Sequence, residues 1–345
     1  MKSEVYSPTI RRKEMDAVLT AMVEDKIGPG EQARVLIQNA REYLGFDYCV
    51  ALRSPAIALF LALKALRLEA GRGVLISALS PGYYLRVIED MGLRPVYGDV
   101  GASSACMDRE TLEAVLSVKA EAPPPGCIVI HHTLGYVPDT AAIVQMGLPV
   151  IEDISQSYGA VLGEGRAGSY GTFTILGLEE RDMLTAGGGA LLYSVNRRDA
   201  SVLRNLGDIP REYGLPDMNA AMAIVQFREG AKNLEKRKEI AQVYIRSGLR
   251  TRHKRFIQKD EAEYNNYAFP LILETGMKDV KAYAKRKEVE VESAFEDTPM
   301  GAGMVAPALC PESYSLSLRT VLFPLYPRLG AAEIEKVAKL IVTLP

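Results

Sequence analysis

A chain of 345 residues has room for one large domain and a smaller one. Its composition, 48% apolar and 24% charged, is that of a packed soluble protein, and a formal net charge of −2 speaks against nucleic acid or an anionic membrane as partner. No apolar run is long enough to span a bilayer, and the opening MKSEVYSPTIRRKE lacks a signal-peptide core, so the expected location is the cytoplasm.

In chain order, Arg53-Ser54-Pro55-Ala56 opens a strongly apolar helix, IALFLALKAL. Ser54 suits the N-cap and Pro55 the first helical position. A helix start attracts anions, although Pro55 offers no N–H there. Strand-length apolar runs follow at 73–76, 94–97, 127–130, 149–152, 172–176 and 190–193, with helical stretches at 83–91 and 108–116. This alternation predicts a mainly parallel sheet with helices on both faces, and such sheets bind ligands beyond the carboxyl ends of their strands. After Gly189 come a long helix over 219–247, strand-like FIQ (256–258) and YAFPLILE (267–274), and helices over 277–287 and 331–344. These predict a large α/β domain over 1–245 and a small α+β domain over 246–345.

The cysteines, Cys49, Cys106, Cys127 and Cys310, are scattered, which excludes a disulfide framework. His131 and His132 are adjacent on a predicted strand and point to opposite faces, so a metal site is not expected. His132 is read as structural rather than pocket-lining.

Several segments together resemble the DegT/StrS family of fold-type-I aminotransferases, which act on nucleotide-linked keto-sugars with pyridoxal phosphate (PLP). They are Ile27-Gly28-Pro29-Gly30-Glu31, Ser54-Pro55-Ala56, the run Gly92 to Asp99, His132-Thr133-Leu134-Gly135, Val150 to Ala160, and Leu322 to Leu329. The resemblance implies that Asp153 bonds the pyridinium nitrogen and Gln156 approaches the phenolic oxygen of the cofactor. It implies a phosphate cup at Ser54 and Ala56, a ring-stacking position at Pro81, a phosphate contact at Gly177, and a homodimer with the pocket at its interface.

The same alignment marks departures. The Schiff-base lysine falls on Asp182, the phosphate-binding serine on Gly177, and the partner-contributed Asn-x-Arg on Glu212-Tyr213-Gly214. No lysine occurs between Lys119 and Lys232, and neither Asp182 nor Arg181 can form an imine. Each lost charge-assisted bond to phosphate removes roughly 1.5–3 kcal/mol. Three functions stay open: a non-transaminating protein binding a sugar nucleotide, related metabolite or partner enzyme; a PLP- or pyridoxamine-dependent sugar-modifying enzyme holding its cofactor non-covalently, with Asp182 as base; and a scaffold for a lysine-bearing paralogue. The run Glu179-Glu180-Arg181-Asp182, if it faces the pocket, makes it acidic and suited to a cation or polyhydroxyl ligand.

Overall fold

A computed structural model describes residues 4–101, 103–118, 123–257 and 261–345. Two helices lead the chain, α1 (Arg12–Val23) and α2 (Glu31–Leu44). β1 (Tyr48–Leu52) runs into α3 (Pro55–Leu66), where Ser54 Oγ accepts the Ile57 N–H at 3.3 Å and Pro55 takes the first turn, as expected. Then follow β2 (Gly73–Ser77), α4 (Tyr83–Asp90), β3 (Arg94–Gly98), α5 (Arg109–Ser117), β4 (Pro125–His131), α6 (Thr140–Val144) and β5 (Val150–Asp153). A hairpin of β6 (Val161–Leu162) and β7 (Gly165–Arg166) precedes β8 (Phe173–Gly177) and β9 (Ala190–Ser194).

The seven-stranded sheet has the order β1-β9-β8-β5-β4-β2-β3. Its pairs from β3 across to β8 are parallel, while β9 runs antiparallel to both β8 and β1. A parallel return requires a crossover element, and the 178–189 connection carries no helix, so β9 comes back antiparallel. Every residue of β2, β5, β8 and β9 is buried. Covered on both faces, these strands read as continuous apolar runs rather than alternating ones. On one face Leu59 and Leu63 of α3 and Tyr84 and Ile88 of α4 pack against Ile76, Val129 and Ile175. On the other, Leu36 of α2 joins Leu75, Ile130 and Leu176.

After α7 (Arg197–Arg204), the 32-residue α8 (Asp217–Gly248) carries the chain onward. Its Ile240, Ala241 and Tyr244 belong to a third apolar cluster. That cluster is built on an antiparallel sheet ordered β11-β13-β12, with β10 (Ala262–Glu263) pairing β6 instead. The strands are β11 (Phe269–Ile272), β12 (Glu292–Ser293) and β13 (Thr320–Phe323), flanked by α9 (Met277–Arg286), α10 (Pro311–Arg319) and α11 (Ala331–Val342).

The expected FIQ strand is absent. Phe256 packs edge-on against Tyr136 at 5.3 Å, the Ile257 N–H bonds Ser103, and Gln258 lies outside the described residues. Side-chain burial at Phe256 took precedence over strand pairing. Within the basic run 250–254, His253 is buried, and its Nδ1 accepts the Glu274 N–H at 3.2 Å. Among the described residues no helix is long and apolar enough to cross a membrane.

Candidate functional site

A cavity of about 520 Å³ opens beyond the carboxyl ends of β4 and β5. The last residues of those two strands, His131 and Asp153, are register partners, so the sheet delivers both to one wall. His132, read from sequence as structural, stays out of the cleft, and His131, not singled out there, lines it. His132 points the other way. Its Nε2 lies 3.1 Å from Glu152 Oε1, its Nδ1 meets Ser157 Oγ at 2.7 Å, and all three side chains are buried. Glu152 also accepts the N–H groups of Gly168, at 2.8 Å, and Gly171, at 3.0 Å, fastening the turn between β7 and β8.

Asp153 is 1% exposed, and four donors of its own chain surround it. Oδ2 accepts the hydroxyls of Tyr84 at 2.6 Å and Tyr83 at 3.1 Å, while Oδ1 accepts the Ser155 N–H at 2.9 Å and the Ser155 hydroxyl. Burial, then the Asp153 charge, push both tyrosine hydroxyls well above their ordinary pKa, so they remain donors. Neither the tyrosine pair nor Ser155 was assigned to Asp153 from sequence, because α4 reaches β5 only through the sheet order.

The β8–β9 connection forms a second wall. Asp182 Oδ2 accepts the Glu179 N–H at 2.7 Å, closing the turn. Burial chiefly, with the charges of Asp153 and Glu179, raises the Asp182 carboxyl to about 7. Glu179, Arg181 and Asp182 line the cavity, whereas Glu180 is exposed and does not. Gly177 has a steric reason: a Cβ there would overlap Asp182 Oδ2 and stand 2.7 Å from Ser155 Oγ. Its N–H donates to that Ser155 oxygen at 2.8 Å.

The third wall comes from far along the chain and was not legible locally. Lys281 of α9, Glu292 of β12, and Glu296 and Asp297 just after it line the cleft. Lys281 is the lysine that reaches the cavity among the described residues, and Glu296 Oε1 holds its Nζ at 3.0 Å. Arg181 bridges to Glu292 at 2.9 Å and lies over the Tyr6 ring, 5.0 Å from its centroid. Tyr6 in turn packs on Tyr267 at 5.6 Å, and the Tyr267 hydroxyl donates to the Arg181 carbonyl. The lining therefore sets six carboxylates (Asp153, Glu179, Asp182, Glu292, Glu296, Asp297) against two cations.

Of the positions singled out from sequence, Asp153, Gln156, Pro81 and Asp182 meet in this cavity. Gln156 spends its Oε1 on the Leu134 N–H at 2.7 Å, which holds Leu134 in its left-handed conformation (φ 56°). Ser54, Ala56 and Gly177 stand behind the lining, with Pro55 reaching it instead, and the Ser54 hydroxyl caps α3. Glu212 sits in a short turn, where its carbonyl accepts from Arg53 Nε at 2.9 Å, and it does not line the cleft. Among the described residues no group of His, Cys, Asp and Glu side chains could hold a metal ion.

The model of the DegT/DnrJ/EryC1/StrS aminotransferase family matches residues 8–342. The chain belongs to that family. It is 25% identical, over 97% of its own length and 94% of the relative's, to dTDP-4-dehydro-2,3,6-trideoxy-D-glucose 4-aminotransferase of Saccharopolyspora spinosa. It is 30% identical to L-glutamine:2-deoxy-scyllo-inosose aminotransferase of Streptomyces lividus, over 52% of this chain and 41% of that enzyme, so the match spans less than half of the latter's length. The PLP form of the Streptococcus pneumoniae protein Spr1654 shares its fold with a TM-score of 0.89 at 18% identity, covering 99% of this chain and 98% of that one. The architecture is thus the α/β fold of the PLP-type sugar aminotransferases.

The Asp153 carboxylate is in place, but its oxygens already accept four donors. A phosphate dianion needs cations or free N–H groups. Here Pro55 has no N–H, and Arg181 and Lys281 are each paired with a glutamate.

Proposed function

We propose that this family member binds a sugar-type ligand in the cleft, a keto-sugar or amino sugar of the kind its relatives process, without forming an imine to the protein. The observation that carries this is Asp182 on the cleft wall, in space that Gly177 leaves open, at the position where the resemblance expects the family's lysine. A carboxyl group cannot condense with an aldehyde or ketone. What the side chains offer is recognition: carboxylates and a neutral imidazole for hydroxyls, and the Tyr6–Tyr267 pair as an apolar face for ring carbons. A nucleotide-linked ligand and a site completed by a second copy of the chain belong to the same proposal. The exposed Met15, Leu19, Met22 and Val23 of α1 support such pairing.

Non-covalent use of PLP or pyridoxamine phosphate in sugar modification is the second function, favoured by Asp153 and Gln156 on the cleft wall and by the family's chemistry. When bound, such a group would supply an electron sink for bond cleavage beside a sugar carbonyl.

The test is an absorbance spectrum after incubation with excess PLP and dialysis, then borohydride treatment, alongside calorimetry with sugar ligands. Sugar binding without a chromophore is the expected result. A chromophore that borohydride leaves removable selects the second function. A pyridoxyl group fixed to the protein overturns the absence of an imine.

A further inference from the structure

We infer that Tyr83 decides whether a protonated ring nitrogen binds at Asp153, because its hydroxyl holds the acceptor that an incoming N–H would need. The inference concerns the cofactor of the second function and does not depend on the sugar-type ligand. An ionised carboxylate offers about four lone-pair sites. Asp153 has a donor for each: Tyr83 and Tyr84 on Oδ2, and the N–H and hydroxyl of Ser155 on Oδ1. A further donor arriving from the cleft therefore has to displace one of these.

Three of the four are fixed in place. The Ser155 N–H belongs to the backbone just past β5, and the Ser155 hydroxyl oxygen also accepts the Gly177 N–H at 2.8 Å, which ties it to β8. Tyr84 is fully buried, donates at 2.6 Å, and packs edge-on against both Tyr83, at 4.9 Å, and His131, at 6.3 Å. Tyr83 differs on each count. It is half-buried, its 3.1 Å bond is the longest of the four, and it lines the cavity. Burial and the Asp153 charge keep its hydroxyl protonated at neutral pH, so it competes as a donor. A pyridinium N–H that displaced it would gain one charge-assisted bond while the protein forfeited another, so the exchange returns little affinity.

The experiment is titration calorimetry of the full chain with pyridoxine and with its ring-N-methylated form, at a pH where the pyridoxine nitrogen carries a proton. Both probes lack phosphate and both are cationic on the ring, but only pyridoxine has the N–H. Wild type should show no preference between them. Tyr83→Phe, which removes only the hydroxyl, should bind pyridoxine about tenfold or more tighter and leave the N-methyl form unchanged, as expected for one charge-assisted contact. Asp153→Asn added to Tyr83→Phe should abolish the preference. A change of packing alone would move both probes together. A wild-type chain that already prefers pyridoxine about tenfold would overturn the inference without any variant. So would a Tyr83→Phe chain that treats the probes alike, or binds neither, and so would the preference appearing in Tyr84→Phe instead. Each of these failures leaves the sugar-binding function standing, because that function is read with sugars and not with pyridines.

Discussion

The carboxylate of Asp182 occupies the space that a side chain at residue 177 would need, which couples Gly177 to Asp182. A side chain at 177 therefore forces the Asp182 carboxylate to move.

Gly177→Ser should destabilise the protein by about 1–3 kcal/mol through overpacking. Asp182→Ala in the same chain should return part of that loss, with the Ser155 hydroxyl, 2.7 Å from the new Cβ, retaining the rest. Urea denaturation of the two single variants and the double variant measures the coupling. Additive effects would contradict the steric link.

Tyr84→Phe removes the 2.6 Å hydrogen bond to buried Asp153. Bonds to charged groups contribute about 1.5–3 kcal/mol, and a loss of that size should appear in the urea midpoint at an unchanged slope. Tyr83→Phe, at 3.1 Å and nearer the cavity, should cost less.

Two groups on the cleft wall give opposite pH dependences. Burial raises Asp182 to about 7, so between about 4 and 7 the folded chain holds a proton the unfolded one has lost, and stability falls as pH rises. Burial lowers His131 to about 4, against the opposing pull of Asp153, so between about 4 and 6.5 the unfolded chain holds the extra proton and stability rises with pH. Each slope is at most about 1.4 kcal/mol per pH unit. Relative to wild type, Asp182→Asn should therefore gain stability as pH rises over this window, and His131→Asn should lose it. Denaturation at half-unit pH steps reads both differences.

Glu152→Ala strips the partner from His132 and the acceptor from the Gly168 and Gly171 N–H groups. Breaking a buried pair from one side costs about 3–5 kcal/mol, so this variant should be among the least stable single substitutions in the chain. Thermal melting checks it.

The element order was readable because it depends on local signals. Continuous apolar runs became β2, β5, β8 and β9 since both faces of the sheet are covered, and Ser54-Pro55 started α3 through its own short-range bonds. Phe256 was misread because an apolar residue before a polar stretch looks the same whether it pairs in a strand or fills a gap beside Tyr136.

By itself, then, the sequence determined the alternation of strands and helices and the family: each is a property of residue type and spacing along the chain. Only the tertiary structure decided which carboxylates share the cleft, which histidine faces it, and which donors enclose Asp153. Those relations join residue 83 to 153 and 181 to 292 through sheet order and domain packing, and electrostatic and steric effects follow distance in space, not distance in sequence.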